Sequence, residues 1–290
     1  MTEQNTVAII CDLDGTLCPD TTGLLITKIG GKPSKFWRDV DKLVKGGWDP
    51  PIAYLTKLLE LARNTKTPIT KNILEKVGQS VKFFPGALDF VPRLQKMVDA
   101  NTDFRAANIK FELYIISGGI EEIIKHSAIG TVATAIFGCS FNFDGKGVAS
   151  GITKTVTFTE KTKFVYAINK GISAEELRHD PYRVNDAMKP EERRVPFEHM
   201  IYVGDGPSDI PCFSMVKTFK GSVVGVMPPG EKRFTKPYEL AQGERMTIGP
   251  YTANYTEDTD LYKMLGRYVH GIADNIMTRR AHTIRPAPKH

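Results

Sequence analysis

The stretch VAIICDLDGT, residues 7–16, decides the fold. A short apolar run ends at Asp12, and we predict a strand over Val7–Asp12 because such runs are typical of parallel strands buried on both faces. Two carboxylates, Asp12 and Asp14, stand one residue apart at its end and are followed by a glycine turn. The stretch therefore predicts a buried strand that carries two acids at its carboxyl end.

Two later runs have the same form. Phe111–Ser117 and Met200–Asp205 are apolar, end in polar residues followed by glycine, and precede helical patterns. Buried strands that alternate with helices predict an α/β fold with a doubly wound, Rossmann-like parallel sheet. Ligand sites of such sheets lie beyond the carboxyl ends of the strands, so we expect the polar residues there to converge.

An insertion separates the first two predicted strands. Roughly ninety residues lie between them, far more than one crossover helix needs. Capping residues and prolines predict three helices within it: Ser34–Lys45, Pro50–Ala62 and Thr70–Val81. We therefore expect a small helical cap over residues 19–84 and a catalytic core made of residues 1–18 and 85–277. Four aromatic residues of the insertion could line the substrate pocket, but aromatic residues on such helices more often build the cap's own core, which is the role we expect: Phe36, Trp37, Trp48 and Tyr54.

The rest of the chain gives further elements. Turn residues around Asp144 predict a hairpin within Ser140–Phe158. The other predictions are a helix from Lys161 to Asn169, a surface loop over Arg178–Pro196, a last strand over Ser222–Met227, a closing helix over Asp258–Met277, and a basic flexible tail over residues 278–290.

The two acids after the first strand suit phosphoryl transfer. Asp12 can attack phosphorus as a carboxylate, while Asp14 protonates the leaving oxygen and later takes a proton from water. An anion that attacks an anion needs a cation, and Mg²⁺ prefers oxygen ligands of this kind. A calcium-binding EF-hand loop is excluded, because its closing glutamate would fall at Gly23.

A second acidic motif follows the third predicted strand. It reads GDGPSD, residues 204–209, and places Asp205 and Asp209 at the same edge of the sheet as Asp12. Asp205 would complete the metal site with Asp12, and Asp209 would hold metal-bound water or orient Lys161. The motif alone is also common turn chemistry, but with DLDGT it becomes specific.

Two further features suit an anionic substrate. Ser117, Gly118 and Gly119 offer a hydroxyl and unobstructed backbone N–H groups at an expected helix start. Lys161 lies near another helix start, where the helix dipole disfavours a cation unless anions compensate it. Lys163 is the rival for this role.

These motifs, in this order, resemble those of the haloacid-dehalogenase-like (HAD) superfamily, over about residues 6–227. The order of insertion and motifs is similar to that of the phosphoserine phosphatase branch. The resemblance implies that Asp12 is the nucleophile, that Asp14 is the acid and base, and that Lys161 is the cation that stabilises both nucleophile and phosphate. It implies that Ser117, with Gly118 and Gly119, binds the phosphate. It further implies that Mg²⁺ is held by Asp12, Asp205 and the backbone carbonyl of Asp14, with Asp209 as their support.

Two residues of that branch are missing here. The branch has a glutamate near Thr21 and a substrate-binding arginine near residues 54–56, and neither occurs in this chain. Asp20 could replace the acid, and Lys57 or Arg63 the arginine. The departures argue against phosphoserine itself as the substrate.

The expected function is therefore a Mg²⁺-dependent phosphomonoesterase that acts on a small anionic phosphorylated metabolite through an aspartyl-phosphate. A phosphotransferase would use the same residues, and a binding or regulatory protein could keep the fold without turnover. The net charge is +6, and residues 28–82 carry twelve Lys or Arg against five acids, which favours anionic ligands. No nucleic-acid recognition motif accompanies them, so nucleic acid is not the expected partner.

Location is read from apolar runs and cysteines. No apolar run approaches the length of a membrane span, and the first residues are polar, so we expect a cytoplasmic protein without membrane association. The four cysteines are far apart and lack metal-ligand spacing, which indicates free thiols.

Overall fold

A computed structural model describes residues 3–230 and 248–284 of the protein. Within this part of the chain, seven strands form one sheet in the order β4-β3-β2-β1-β5-β6-β7. Each neighbouring pair is parallel except β3 and β4, which form an antiparallel hairpin. The strands are β1 (Thr6–Cys11), β2 (Lys110–Ile120), β3 (Ala135–Phe143), β4 (Ala149–Lys154), β5 (Met200–Gly204), β6 (Ser222–Met227) and β7 (Ile248–Thr252).

The central strand β1 explains why the sheet is covered on both faces. All six of its residues are buried, and alternate side chains enter opposite cores. Ala8 and Ile10 belong to one core, whereas Val7 and Ile9 belong to the other. A strand with no polar face must have helices on both sides, because its side chains alternate across the sheet. The predicted doubly wound α/β fold is confirmed.

Four helices lie within the insertion, residues 19–84. They are α1 (Thr21–Lys28), α2 (Pro33–Lys45), α3 (Pro50–Asn64) and α4 (Lys71–Gln79). The side chains of Asp49 and Thr70 cap α3 and α4 by accepting from the N–H groups of Ile52 and Ile73. The three predicted helices are confirmed. Helix α1 was not predicted; Asp20 begins it by accepting from the N–H of Gly23 at 3.0 Å.

The remaining helices cover the sheet. They are α5 (Phe90–Asp99), α6 (Thr102–Ala106), α7 (Glu121–Lys125), α8 (Glu160–Lys170), α9 (Ala174–His179), α10 (Ile210–Thr218) and α11 (Asp260–Ile284). The inserted helices pack on the core, with α4 against α7, α3 against β4 and α1 against β2. Every helix in the described residues is too short or too polar to cross a membrane.

Three segments differ from the predictions. The Arg178–Pro196 segment begins inside α9 and contains short 3-10 turns at Arg183–Asn185 and Pro190–Glu192. Strand β7 was missed because its sequence, IGPYT, contains glycine and proline and no apolar run. Helix α11 continues to Ile284, past the end predicted at Met277, and residues 285–290 of the predicted tail lie outside the described residues.

Two ion pairs explain why the last helix is longer than predicted. Arg279 pairs with Glu198, and Arg280 lies 3.7 Å from the carboxylate of Glu3. These contacts hold basic residues that carry no acidic neighbour in their own segment. The charge pattern alone could not show them, because both acids come from distant parts of the chain.

A buried histidine makes the stability of the fold depend on pH. His199 precedes β5 and is 1% exposed, and its burial lowers its pKa from 6.5 to about 4. Between these pH values the unfolded chain binds a proton that the folded chain does not. We therefore expect the free energy of unfolding to fall by up to about 3 kcal/mol from this residue as the pH drops from 6.5 to 4.

Urea unfolding at pH 7 and pH 5 tests this expectation with His199→Gln. The variant should lose less stability between the two pH values than the wild type does. His179→Gln is the matched control, since His179 is exposed and should leave the pH dependence unchanged. An equal loss in the wild type and in His199→Gln would contradict the assignment.

Candidate active site

The predicted site residues come together at the carboxyl edge of the sheet. Asp12 directly follows β1, Asp205 directly follows β5, and Lys161 lies in the first turn of α8. Ser117, Gly118 and Gly119 lie inside β2 rather than at a helix start, because α7 begins only at Glu121. Their backbone falls where the pairing of β2 with β3 shifts register, between Ile116 and Ile120.

Lys161 is the buried cation of this site. Its side chain is 1% exposed, and its Nζ lies 3.0 Å from Asp12 Oδ2 and 2.7 Å from Asp209 Oδ1. Burial opposes its charge, but the two carboxylates outweigh that effect and raise the pKa of the lysine above its ordinary value. Lys163 instead pairs with Glu160 in a partly exposed position, away from the carboxylates.

Asp209 links the lysine to the core. Its carboxylate is fully buried, and Oδ1 also accepts a hydrogen bond from the Tyr202 hydroxyl at 3.0 Å. Burial raises the pKa of Asp209 to about 6, while Lys161 acts against that rise. Tyr202 was not among the predicted site residues. The only sequence signal for it is a phenol in the middle of an otherwise apolar buried strand.

Three carboxylates could hold a metal ion. One oxygen atom from each of Asp12, Asp205 and Asp209 lies within 4.8 Å of the others. Burial, followed by the charges of Asp12 and Asp209, raises the pKa of Asp205 well above its ordinary value. Asp209 Oδ2 is buried without a hydrogen-bond partner. Crowded, hard oxygen donors of this kind fit a divalent cation such as Mg²⁺.

The carboxylate of Asp14 does not belong to this group of three. Its Oδ1 accepts from the N–H of Thr21 at 2.7 Å. Burial, with smaller contributions from Asp20 and Asp12, raises the pKa of Asp14 to about 7 even though the Thr21 bond lowers it. A carboxyl group with this pKa exists in both protonation states near neutral pH, as a general acid and base must.

Asp12 is held from two sides. Its Oδ1 accepts from the N–H of Leu13 at 2.7 Å, and its Oδ2 contacts Lys161. Its own N–H donates to the carbonyl of Val203 in the neighbouring strand β5 at 3.0 Å. The carboxylate therefore has one orientation at the centre of the site, which suits a nucleophile that must attack along one line.

The second glycine after Ser117 brings the backbone close to Asp14. The N–H of Gly119 donates to Ser117 Oγ at 2.9 Å. A Cβ at Gly119 would lie 3.0 Å from Asp14 Oδ2 and 3.2 Å from Ser117 Oγ. The Ser117 hydroxyl, whose oxygen accepts from the Gly119 N–H, therefore lies close to the Asp14 carboxylate, where it could donate to a phosphoryl oxygen.

Comparison with known proteins identifies the fold. No family model matches the chain. An uncharacterized protein of Borreliella burgdorferi is 23% identical over 286 residues, which cover 90% of this chain and 96% of that protein. A phosphoserine phosphatase, solved as a phospho-aspartyl intermediate analogue, superposes with a TM-score of 0.52 and 15% identity, covering 91% of this chain and 99% of the other.

A HAD-family hydrolase of Salmonella enterica serovar Typhi has a TM-score of 0.53 with 16% identity, covering 88% of this chain and 68% of that chain. The protein has the HAD-like fold. The mostly parallel sheet, the site at its carboxyl edge and the order of the motifs all agree with this assignment.

The HAD-like core meets the inserted helices through residues that the sequence did not assign to the site. Tyr54, on α3, is buried and donates its hydroxyl hydrogen to the carbonyl oxygen of Gly118. Trp37, on α2, donates its indole N–H to Asp20 Oδ2 at 2.9 Å. Tyr54 does pack in the apolar core, as expected of the four aromatic residues, whereas Trp48 is exposed and the expectation is wrong for it. The hydroxyl of Tyr54 reaches Gly118, the first glycine of the pair.

Gly15 is the residue at which the close packing of this site can be tested. Its φ is +80°, and a Cβ there would lie 2.2 Å from Asp205 Oδ2. Gly15→Ala should therefore displace Asp205 and lower the phosphatase activity proposed below at least about 100-fold. The matched control is Gly47→Ala, where φ is +94° but no atom lies within 4 Å of the added Cβ. The control carries only backbone strain of about 1 kcal/mol; equal activities of the two variants would show that the Asp205 contact does not matter.

Proposed function

We propose that the protein is a Mg²⁺-dependent phosphomonoesterase that hydrolyses a small anionic phosphorylated metabolite through an aspartyl-phosphate on Asp12. The observation that carries the proposal is the buried bridge from Asp12 through Lys161 to Asp209, with Asp205 beside it. Asp14 lies next to this bridge with its pKa raised to about 7. One nucleophile, one cation and one acid of suitable pKa are what phosphate-ester cleavage needs.

The first half of the reaction transfers the phosphoryl group to the protein. A carboxylate oxygen of Asp12 attacks phosphorus, so an O–P bond forms while the P–O bond of the ester breaks. Asp14 gives its proton to the leaving alcohol oxygen. The Ser117 hydroxyl, whose oxygen accepts from the N–H of Gly119, donates its hydrogen to a phosphoryl oxygen, and Lys161 balances the charge that collects near Asp12.

The second half releases phosphate. Asp14, now ionised, takes a proton from a water molecule whose oxygen attacks phosphorus. The bond to Asp12 breaks, its carboxylate is restored, and inorganic phosphate leaves. Asp14 is protonated again at the end, so the cycle closes without another reactant.

Asp12 and Asp205 would hold the Mg²⁺ ion, with Asp209 supporting them and the backbone carbonyl of Asp14 as a further ligand by resemblance to the superfamily. The bound ion supplies charge neutralisation, which lets an anionic carboxylate approach an anionic phosphate. The buried, unpartnered Oδ2 of Asp209 and the raised pKa of Asp205 support this role, since both indicate a group of acids that lacks enough positive charge.

The inserted helices limit the size of the proposed substrate. We propose that residues 19–84 act as a cap that excludes bulk water during transfer, with residues 1–18 and 85–277 as the catalytic core. The contact between Tyr54 and Gly118 supports a closed arrangement of cap and core. A closed cap favours a small metabolite as substrate.

The four free, buried cysteines suit a reducing compartment, so we propose the cytoplasm as the location of the protein.

The experiment is phosphate release by the purified protein from a panel of phosphorylated metabolites, with Mg²⁺ and with EDTA. The expected result is release from a subset of the panel that EDTA abolishes and added Mg²⁺ restores. A phosphotransferase would release little phosphate until an acceptor alcohol is added, and then yield a new ester. If no compound of the panel releases phosphate or yields a new ester, with or without acceptor alcohols, the proposed enzymatic activity is refuted and a binding protein on the same fold is favoured.

A further inference from the structure

The carbonyl of Gly118 is held from two sides. Tyr54 donates to it from the inserted helix α3, and the Sγ of Cys139, on β3, lies 3.2 Å from the same oxygen. Cys139 in turn accepts from the N–H of Val156 at 3.2 Å, so the thiol is fixed in place. The hydroxyl of Tyr54 stays a donor, because burial, followed by the neighbouring thiol, raises its pKa well above the ordinary value.

The fixed carbonyl determines where the next N–H points. The carbonyl of Gly118 and the N–H of Gly119 belong to one planar trans peptide, in which the two groups point in opposite directions. The N–H of Gly119 faces Ser117 Oγ at 2.9 Å, beside Asp14. A hydrogen bond that holds the carbonyl on the side of the inserted helices therefore holds the N–H on Ser117 Oγ.

Glycine makes this restraint necessary. Neither Gly118 nor Gly119 has a side chain that could limit rotation of the peptide between them. A Cβ at Gly119 would lie 3.0 Å from Asp14 Oδ2, so a bulkier residue could not replace the restraint without disturbing the acid. The peptide between the two glycines is therefore not restrained by side chains of its own, and its orientation depends on hydrogen bonds with other residues.

Tyr54 is itself held in position by the insertion. Its ring lies 5.9 Å from that of Trp37, and the indole of Trp37 is bonded to Asp20. Asp20 also caps α1, at the point where the chain leaves the core. The tyrosine hydroxyl can therefore reach Gly118 only when the inserted helices are packed against the core as they are here.

We propose that Tyr54 is a positioning residue: when the inserted helices close on the core, its hydrogen bond to the Gly118 carbonyl holds the Gly119 N–H on Ser117 Oγ and so orients the Ser117 hydroxyl as a phosphoryl donor. This inference rests on the proposed phosphomonoesterase function. It makes closure of the cap and assembly of the phosphate-binding group one event. A merely structural tyrosine would add stability without changing the orientation of the peptide.

The test is Tyr54→Phe in the full chain, which keeps the ring against Trp37 and removes only the hydroxyl. We expect kcat to fall about 10-fold while KM changes little, because the lost orientation matters most when charge develops on the phosphoryl oxygens. Tyr114→Phe is the matched control. It removes a buried hydroxyl that bonds to Glu112 at 2.5 Å, away from the site residues, and should leave kcat unchanged.

A second readout does not depend on turnover. The sequence has three Gly-Gly pairs, at residues 30–31, 46–47 and 118–119. Labelling glycine with ¹³C at the carbonyl and ¹⁵N at the amide therefore leaves only three signals in an HNCO spectrum, with two of them as internal references. Tyr54→Phe should move both the Gly118 carbonyl carbon and the Gly119 amide, while the other two pairs and the Tyr114→Phe spectrum stay as in the wild type.

The outcomes separate the two claims. If the wild type releases no phosphate from any ester, the proposed function fails, and the movement or constancy of the Gly119 amide alone decides whether Tyr54 positions it. An unmoved Gly119 amide in a folded Tyr54→Phe protein would overturn the inference. In an active enzyme, a kcat equal to that of Tyr114→Phe, or a loss confined to KM, would overturn it as well.

Discussion

Asp12→Asn abolishes phosphate release, with an expected loss of about 10⁴-fold or more, because an amide oxygen cannot form the aspartyl-phosphate. The variant should stay folded. Asparagine keeps an oxygen that can accept from the N–H of Leu13, and Lys161 keeps its shorter contact with Asp209 at 2.7 Å. Phosphate release and a thermal melt, measured on the same preparation, check both parts of the expectation.

The control for this loss is Asp258→Asn, which removes an exposed acid and should leave activity unchanged. Asparagine can deamidate back to aspartate, so the mass of the Asp12 peptide must be verified in the assayed sample. Substantial release by a preparation free of aspartate at this position would contradict the nucleophile assignment.

Lys161→Met should have the second largest effect, because it removes the buried cation that separates the acids. Asp12 and Asp209 would then remain buried, close to Asp205, without the lysine that contacts them. Removing one partner of a buried ion pair costs about 3–5 kcal/mol, so we expect the free energy of unfolding to fall by that amount. Phosphate release should fall at least about 1,000-fold, since the charge that collects near Asp12 is no longer balanced.

Lys163→Met is the matched control, two residues along the same helix. Its partner Glu160 is 35% exposed and the lysine 29% exposed, so the pair should contribute less than about 1 kcal/mol. Urea unfolding in the absence of Mg²⁺, together with phosphate release in its presence, distinguishes the two lysines. An inactive Lys163→Met beside an active Lys161→Met would reverse the assignment made from sequence and geometry.

The strands that line the site could be predicted because each contains an apolar run that ends in a polar motif. β1, β2 and β5 have this form, and buried parallel strands require it. Strand β7 could not be found in this way, since it lies at the edge of the described sheet and contains a proline. Helix α1 was missed because its start depends on Asp20, which the sequence shows only as one acid in a polar stretch.

The acids of the site could be predicted for a related reason. Asp12, Asp205 and Asp209 follow strands whose carboxyl ends meet, so their proximity follows from the topology. The contacts of Tyr202 and Tyr54 could not be read from the sequence. Both tyrosines are buried among apolar residues and differ from ordinary core residues only in where their hydroxyl groups point, which tertiary packing decides.

The most direct measurement of the central claim is to trap the intermediate on Asp12. An active protein is mixed with its best substrate, quenched, reduced with borohydride and digested, because an acyl phosphate is reduced to an alcohol whereas a free carboxylate is not. We expect homoserine in place of Asp12 in the peptide that contains residues 7–16, and only when substrate is present. Hydrolysis of the substrate with Asp12 unmodified, or homoserine at Asp14 or Asp205, would contradict it.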